Sequence, residues 1–257
     1  MIFAVDIGNT NIVVALLDAG AVVSEFRLTS DLSVSAETYA EEVSAMLTRA
    51  ESSAIDGAVI SSVVPPLAET YREVCRRLFG VDALIVSAET AADVPLLVDN
   101  PEKAGADLIC TAVAGAKNYA LPVIIVDMGT ATTITVVDKR GNYIGGAIYP
   151  GLTLTFNALS AGAYLLPEIP MEVPRKLISG NTVESMQSGA MYGTASMLDG
   201  MISRFERELG ESASLVATGG LSSVVIPLCE HNIELCPNLI FDGMYAIYVD
   251  NEKVRTR

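Results

Sequence analysis

Short apolar runs broken by glycine-bearing turns open the chain. Residues Ile2 to Asp6, Ile12 to Leu17 and Ala21 to Leu28 read as three strands joined through Gly8 and Gly20, a compact meander. A helix should follow, because Ser35 can cap it and Tyr39, Val43, Met46 and Leu47 recur at helical spacing. Ala58 to Ser62 is another buried strand, and Pro65-Pro66 fits the start of a helix running towards Phe79. From Leu84 to Asn100 the pattern is irregular.

A second meander runs through Val123 to Asp127, Thr132 to Val137 and Tyr143 to Ile148, with Gly141-Asn142 turning the last pair. It repeats the first: Asp6-Ile7-Gly8-Asn9-Thr10 and Asp127-Met128-Gly129-Thr130-Ala131-Thr132 each follow an apolar strand and lead straight into another. A duplicated fold is the natural reading, with lobes over residues 1–118 and 119–257. Between Pro150-Gly151 and Pro174 the proline and glycine content predicts a loop-rich connection. Asn181 and Glu184 form a capping-box pattern ahead of a long helix whose apolar stripe is Val183, Met186, Ala190, Met197, Met201 and Phe205. Leu215 to Thr218 is a further strand, closed by Gly219-Gly220.

With 257 residues and 51% hydrophobic content the chain can build a large core. Sixteen basic against 31 acidic side chains give a formal charge of −15, which would repel nucleic acid and anionic lipid. No long uninterrupted apolar stretch fits a membrane span or signal peptide. Cys75, Cys110, Cys229 and Cys236 lack the spacing of a zinc site or a disulfide scaffold, so a reducing cytoplasm suits them. His231 is the only histidine, and any Ser-His-Asp or Cys-His mechanism would depend on it.

The two turns carry the candidate chemistry. A strand that ends in Asp and turns at once through Gly sets a carboxylate beside backbone amides, a pairing suited to phosphate oxygens and their magnesium ion. Gly8 permits close backbone approach, and Asn9, Thr10 and Asn11 add short polar groups. Gly219-Gly220 would suit packing against a flat adenosine. Neither a Walker-type Gly-x-x-x-x-Gly-Lys-Ser/Thr nor a Gly-x-Gly-x-x-Gly βαβ opening occurs.

This two-turn arrangement resembles the actin-like (ribonuclease H-like) ATPase superfamily. That resemblance implies an α/β fold of two duplicated lobes, each a mixed sheet flanked by helices, with nucleotide in the cleft between them. More narrowly, Asp6-Ile7-Gly8-Asn9-Thr10-Asn11, Ser61-Ser62-Val63-Val64-Pro65, Gly105-Ala106-Asp107 and Asp127-Met128-Gly129-Thr130-Ala131-Thr132 look like type III pantothenate kinase. Gly145 to Gly151, Asn181 to Gly189 and Thr218-Gly219-Gly220 agree in the family's order. The resemblance implies phosphorylation of pantothenate by ATP with magnesium and a monovalent cation, potassium or ammonium, in a cytoplasmic homodimer with no nucleic-acid or membrane partner. By it, Asp6, Ile7, Gly8, Asn9, Thr10, Asn11, Ile12 and Val13 line the phosphates, Asp6 meeting magnesium. Thr130 contacts ATP, Asp127 holds the monovalent cation, and Gly105, Ala106, Asp107, Leu108 and Thr182 form the acceptor side, with Asp107 as proton acceptor.

Asp107 near the start of a helical run should have its ionised form favoured by the helix dipole, which suits orienting an attacking hydroxyl more than strong basicity. The sequence departs from the family in Leu108 for Arg, Thr111 for Asn and Val98 for Tyr, all on the acceptor side. Those changes leave open a paralogue with another acceptor or a nucleotide-binding regulator. A phosphohydrolase of the same superfold also stays open.

Overall fold

A computed structural model describes residues 1–49, 54–91 and 93–255. The chain divides into two compact units, one made of Met1–Asn118 with Asn238–Arg257 and the other of Tyr119–Pro237.

In the first unit the opening meander forms β1 (Ile2–Ile7), β2 (Asn11–Asp18) and β3 (Ala21–Thr29), each pair antiparallel. Ala19 and Gly20 both take positive φ, 48° and 90°, the backbone a two-residue hairpin between twisted strands requires. After α1 (Ala36–Arg49), β4 (Gly57–Ser62) pairs parallel with β1. After α2 (Pro65–Phe79), β5 (Leu84–Ile85) extends the sheet inside the stretch that reads as irregular. The sheet order is β3-β2-β1-β4-β5. Ser35 caps α1 by accepting the Thr38 amide on its Oγ at 3.2 Å. Phe3, Val5, Ile7, Ile12, Val14 and Leu16 pack with Tyr39, Val43, Leu67 and Tyr71 as the core. α3 (Ala106–Asn118) packs with the last helix of the chain.

The second unit repeats this plan. β6 (Val123–Met128), β7 (Ala131–Val137) and β8 (Tyr143–Pro150) form its meander. The connection that reads as loop-rich contains α4 (Leu152–Gly162), and its Leu152 and Phe156 are buried. α5 (Thr182–Leu209) follows, then β9 (Ser214–Thr218), α6 (Ser222–Val225) and β10 (Glu234–Leu235). The order β10-β9-β6-β7-β8 matches the first sheet strand for strand, β9 lying parallel to β6 as β4 does to β1. Two α/β lobes of one mixed-sheet topology are what duplication requires.

Two expectations shift. The most deeply buried face of α5 is Met191, Ala195, Leu198 and Ile202, one step around the helix from the expected stripe. Ala190, Met197, Met201 and Phe205 flank that face half-buried, and Val183 is exposed. Residues 238–257 pack with the first unit rather than the second. Their helix, α7 (Leu239–Arg255), lies on α3 because Gly243 has no side chain: a Cβ there would stand 1.9 Å from the Cys110 carbonyl oxygen. Gly57 on β4 likewise makes room for the Tyr248 ring.

Candidate active site

β1 ends by delivering Asp6 to the rim of its sheet, beside Ser61 at the same register on β4. Ser61 is fully buried, and its Oγ donates to Asp6 Oδ1 at 3.0 Å, which fixes the carboxylate's rotamer. The chain then reverses through Gly8, whose amide donates to the Asn11 carbonyl at 2.9 Å. Asn9, Thr10 and Asn11 stand exposed on the tip. Ile7 and Ile12, at 1% and 0% exposure, belong to the core, so what they offer a ligand is backbone; Val13 is half-buried.

Asp107 is the second residue of α3, and Gly105 decides where its carboxylate goes. A Cβ at Gly105 would lie 2.3 Å from Asp107 Oδ1, so only glycine lets the side chain fold back over the helix start. Oδ1 there accepts the Leu108 amide at 2.8 Å. Burial nevertheless outweighs the backbone hydrogen bonds and pushes the Asp107 carboxyl above its usual range. The depressed value expected at a helix start gives way to desolvation, and Asp107 gains basicity.

One buried thiol feels the charges of both Asp6 and Asp107. Burial raises Cys110 well above its ordinary value, the Asp6 charge adds to this, Ser61 opposes it by hydrogen bonding, and Asp107 adds a smaller push. The first unit thus brings Asp6, Ser61, Cys110 and Asp107 into one electrostatic neighbourhood, of which the sequence reading gave a chemical role only to the two carboxylates. Buried serine and cysteine give no periodic signal that separates them from core. Ala106 is buried and Leu108 half-buried. Thr111 is buried with its hydroxyl turned to the Asp107 and Leu108 carbonyls at 3.1 and 3.2 Å, so it serves its own helix.

The second unit holds Asp127, Thr130 and Thr182. Asp127 ends β6 as Asp6 ends β1, and the Gly129 amide donates to the Ala131 carbonyl at 3.0 Å. This turn is one residue shorter: Met128 pairs with Thr132, whereas Ile7 pairs with Ile12. Gly219, at φ 90°, lets β9 reach this strand end, since a Cβ would sit 2.6 Å from the Met128 backbone. Its demonstrable task is that packing. Thr182 is exposed on the first turn of α5, behind the cap in which Asn181 Oδ1 accepts the Glu184 amide at 2.9 Å. It lines an open groove of about 740 Å³ with Thr155, Phe156, Leu159 and Ser179.

His231 has a structural explanation. Asp199 on α5 accepts the amides of Glu230 and His231 at 2.8 and 3.0 Å and meets the ring Nδ1 at 2.7 Å. Ser203 Oγ lies 3.4 Å from the other ring nitrogen, but it sits within α5, where its own amide is committed and forms no oxyanion hole.

Among the described residues no cluster of three or more His, Cys, Asp or Glu could cage a metal ion. Magnesium that arrives with a nucleotide keeps water and phosphate oxygens and asks one or two carboxylates of the protein. Asp6, held by Ser61 at an exposed turn, meets that demand. No helix among the described residues is long and apolar enough to cross a membrane.

A family model for type III pantothenate kinase matches residues 2–204. The type III pantothenate kinase of Pelobacter propionicus is 36% identical over 253 residues, covering 98% of this chain and all of that one. Among solved structures, the activator of the 2-hydroxyisocaproyl-CoA dehydratase from Clostridium difficile with bound ADPNP aligns at TM-score 0.56 and 13% identity, covering 99% and 97% of the two chains. A ROK family glucokinase from Streptomyces griseus in complex with glucose and AMPPNP aligns at TM-score 0.53 and 14% identity, covering 95% and 98%. At such identities these structures speak for the shared actin-like fold alone.

Proposed function

The chain belongs to the type III pantothenate kinase family, and we propose that Asp107 accepts the proton as the terminal phosphoryl group of ATP passes to the primary hydroxyl of pantothenate. The product is 4'-phosphopantothenate, the first intermediate on the way to coenzyme A. The observation that carries this assignment is the half-buried Asp107 carboxylate, folded back over Gly105 and raised above its usual range by burial. A carboxylate so raised is a better match to an alcohol proton near neutral pH than a solvated one.

The remaining roles are read from the family resemblance, supported where the geometry bears on them. Asp6, oriented by Ser61, faces the magnesium ion that accompanies ATP, and the turn offers the Asn9 and Asn11 amides to the phosphates, the Gly8 amide being spent on the Asn11 carbonyl. When bound, magnesium neutralises charge on the phosphate oxygens. Thr130 contacts ATP from the second turn, and Asp127 beside it holds potassium or ammonium. Gly105, Ala106 and Leu108 border the acceptor at the start of α3, and Thr182 touches pantothenate from the start of α5. Two copies assemble as a homodimer in the cytoplasm. Leu108 brings no charge to the acceptor, so orientation there falls to Asp107 and to Thr182.

Incubation with ATP, magnesium, potassium and pantothenate, followed by mass spectrometry, should give phosphopantothenate. Asp107→Asn should lower kcat by roughly 10²- to 10⁴-fold, the usual contribution of a positioned acid or base. Undiminished turnover in that variant would remove Asp107 from the chemistry.

A further inference from the structure

In both units the residue directly after the third strand of the meander ties down the phosphate-facing turn. In the first unit this is Ser30, next after β3: its amide donates to the Thr10 carbonyl at 3.1 Å and its Oγ donates to the Gly8 carbonyl at 2.6 Å. In the second unit it is Gly151, next after β8: its amide donates to the Thr130 carbonyl at 3.1 Å. A Cβ on Gly151 would stand 2.2 Å from the Thr130 oxygen and 2.6 Å from the Gly129 oxygen, so that turn rests directly on the Gly151 backbone. The pairs Thr10 with Ser30 and Thr130 with Gly151 are equivalent positions of the duplicated plan. The first turn has replaced close backbone contact with a hydroxyl.

The consequence for an anion follows from the peptide plane. In a trans peptide the carbonyl and the next amide point in opposite directions. With the Gly8 and Thr10 carbonyls aimed at Ser30, the amides of Asn9 and Asn11 are turned to the opposite side. A turn free to rotate those planes could present carbonyl oxygens, which repel phosphate, in place of amides, which attract it.

We infer that Ser30 is a positioning residue for ATP binding, whose hydroxyl locks the Gly8–Asn9 peptide plane so that the turn presents amides to the phosphates. This rests on the assignment of that turn to the nucleotide. Ser30→Ala keeps the amide bond to Thr10 and removes only the Oγ bond to Gly8. Losing one such bond should weaken ATP binding by about three- to tenfold.

Calorimetric titration with a non-hydrolysable ATP analogue and magnesium tests this without turnover. Ser30→Ala should raise the Kd for the analogue and the KM for ATP, leaving the KM for pantothenate unchanged. Ser30→Thr, which keeps a hydroxyl, should restore natural affinity. Ser33→Ala should behave like the natural chain, because the Ser33 hydroxyl bonds Asp31 and not the turn. A general packing defect would move both KM values and escape rescue by threonine, and that pattern would overturn the inference. Equal affinity of Ser30→Ala and the natural chain would overturn it as well, with the nucleotide role of the turn intact. No binding by the natural chain would remove the nucleotide assignment and the lock together.

Discussion

The Asp107 carboxyl proposed as proton acceptor is held at the expense of stability. Its pKa is raised in the folded chain because desolvation exceeds what the backbone amides return. An acid with a folded pKa above its unfolded value of about 3.9 costs stability wherever both states would ionise, and the cost fades as pH falls between the two values. Asp107→Asn should therefore melt higher than the natural chain at pH 8, with the gain shrinking as pH falls towards the unfolded value of about 3.9. In kcat/KM the same pKa should appear as an acid limb above the ordinary carboxylate range, absent from the residual activity of Asp107→Asn. A variant that melts lower at every pH would show that the carboxylate holds the fold together. The sequence could place Asp107 at a helix start but not reveal the sign of its shift. The dipole is readable from position, whereas burial depends on how α7 and the sheet close around α3.

Elements with caps and periodicity were legible, and elements defined only by their partners were not. The meanders, α1, α2 and the start of α5 lie within a few residues of where strand alternation, proline and capping patterns put them. β5 and β10 are two residues long and exist through pairing with β4 and β9, so no run of sequence announces them. α4 follows directly on Pro150-Gly151 and opens with Leu152, Leu154 and Phe156 at every second position, an alternation that reads as strand and not helix. On α5 the polar Gln187 and Ser188 are buried because they bond the Pro170 and Leu177 carbonyls at 3.0 and 2.6 Å, which rotates the buried face away from the methionine stripe. Its cap is clear in both sequence and structure, with Asn181 Nδ2 donating to Glu184 Oε2 at 3.1 Å and Arg175 Nε donating to Glu184 Oε1 at 2.5 Å. Asn181→Ala should cost about 1 kcal/mol in denaturant melts. Thr182 sits on the turn that Asn181 fixes, so the KM for pantothenate should rise while that for ATP stays put. A rise in both would mean the cap acts on the whole unit and not on the acceptor side.

At the scale of the whole molecule the chain returns to where it started. Duplication explains two sheets of one strand order, yet the terminal helix α7 covers the first unit, which chain order alone would not suggest. Glycine makes this possible: Gly243 admits the Cys110 backbone, and Gly57 admits Tyr248. Leu239, Phe241, Met244 and Ile247 are all at most 3% exposed along this helix. Four such side chains at ~1.5–3 kcal/mol each are comparable with the ~5–15 kcal/mol that holds a domain folded. A chain ending at Pro237 should therefore lose the cooperative melt of its first unit in circular dichroism and expose residues 1–118 to protease. Gly243→Ala is the milder probe: its Cβ meets rigid backbone, so α7 must back away, at about 1–3 kcal/mol. Because Cys110 shares its surroundings with Asp6 and Asp107, that retreat should admit water to α3 and move the acid limb of Asp107 down towards the ordinary carboxylate value. A melt lowered without any movement of the limb would place the origin of the Asp107 shift elsewhere than the α3–α7 contact.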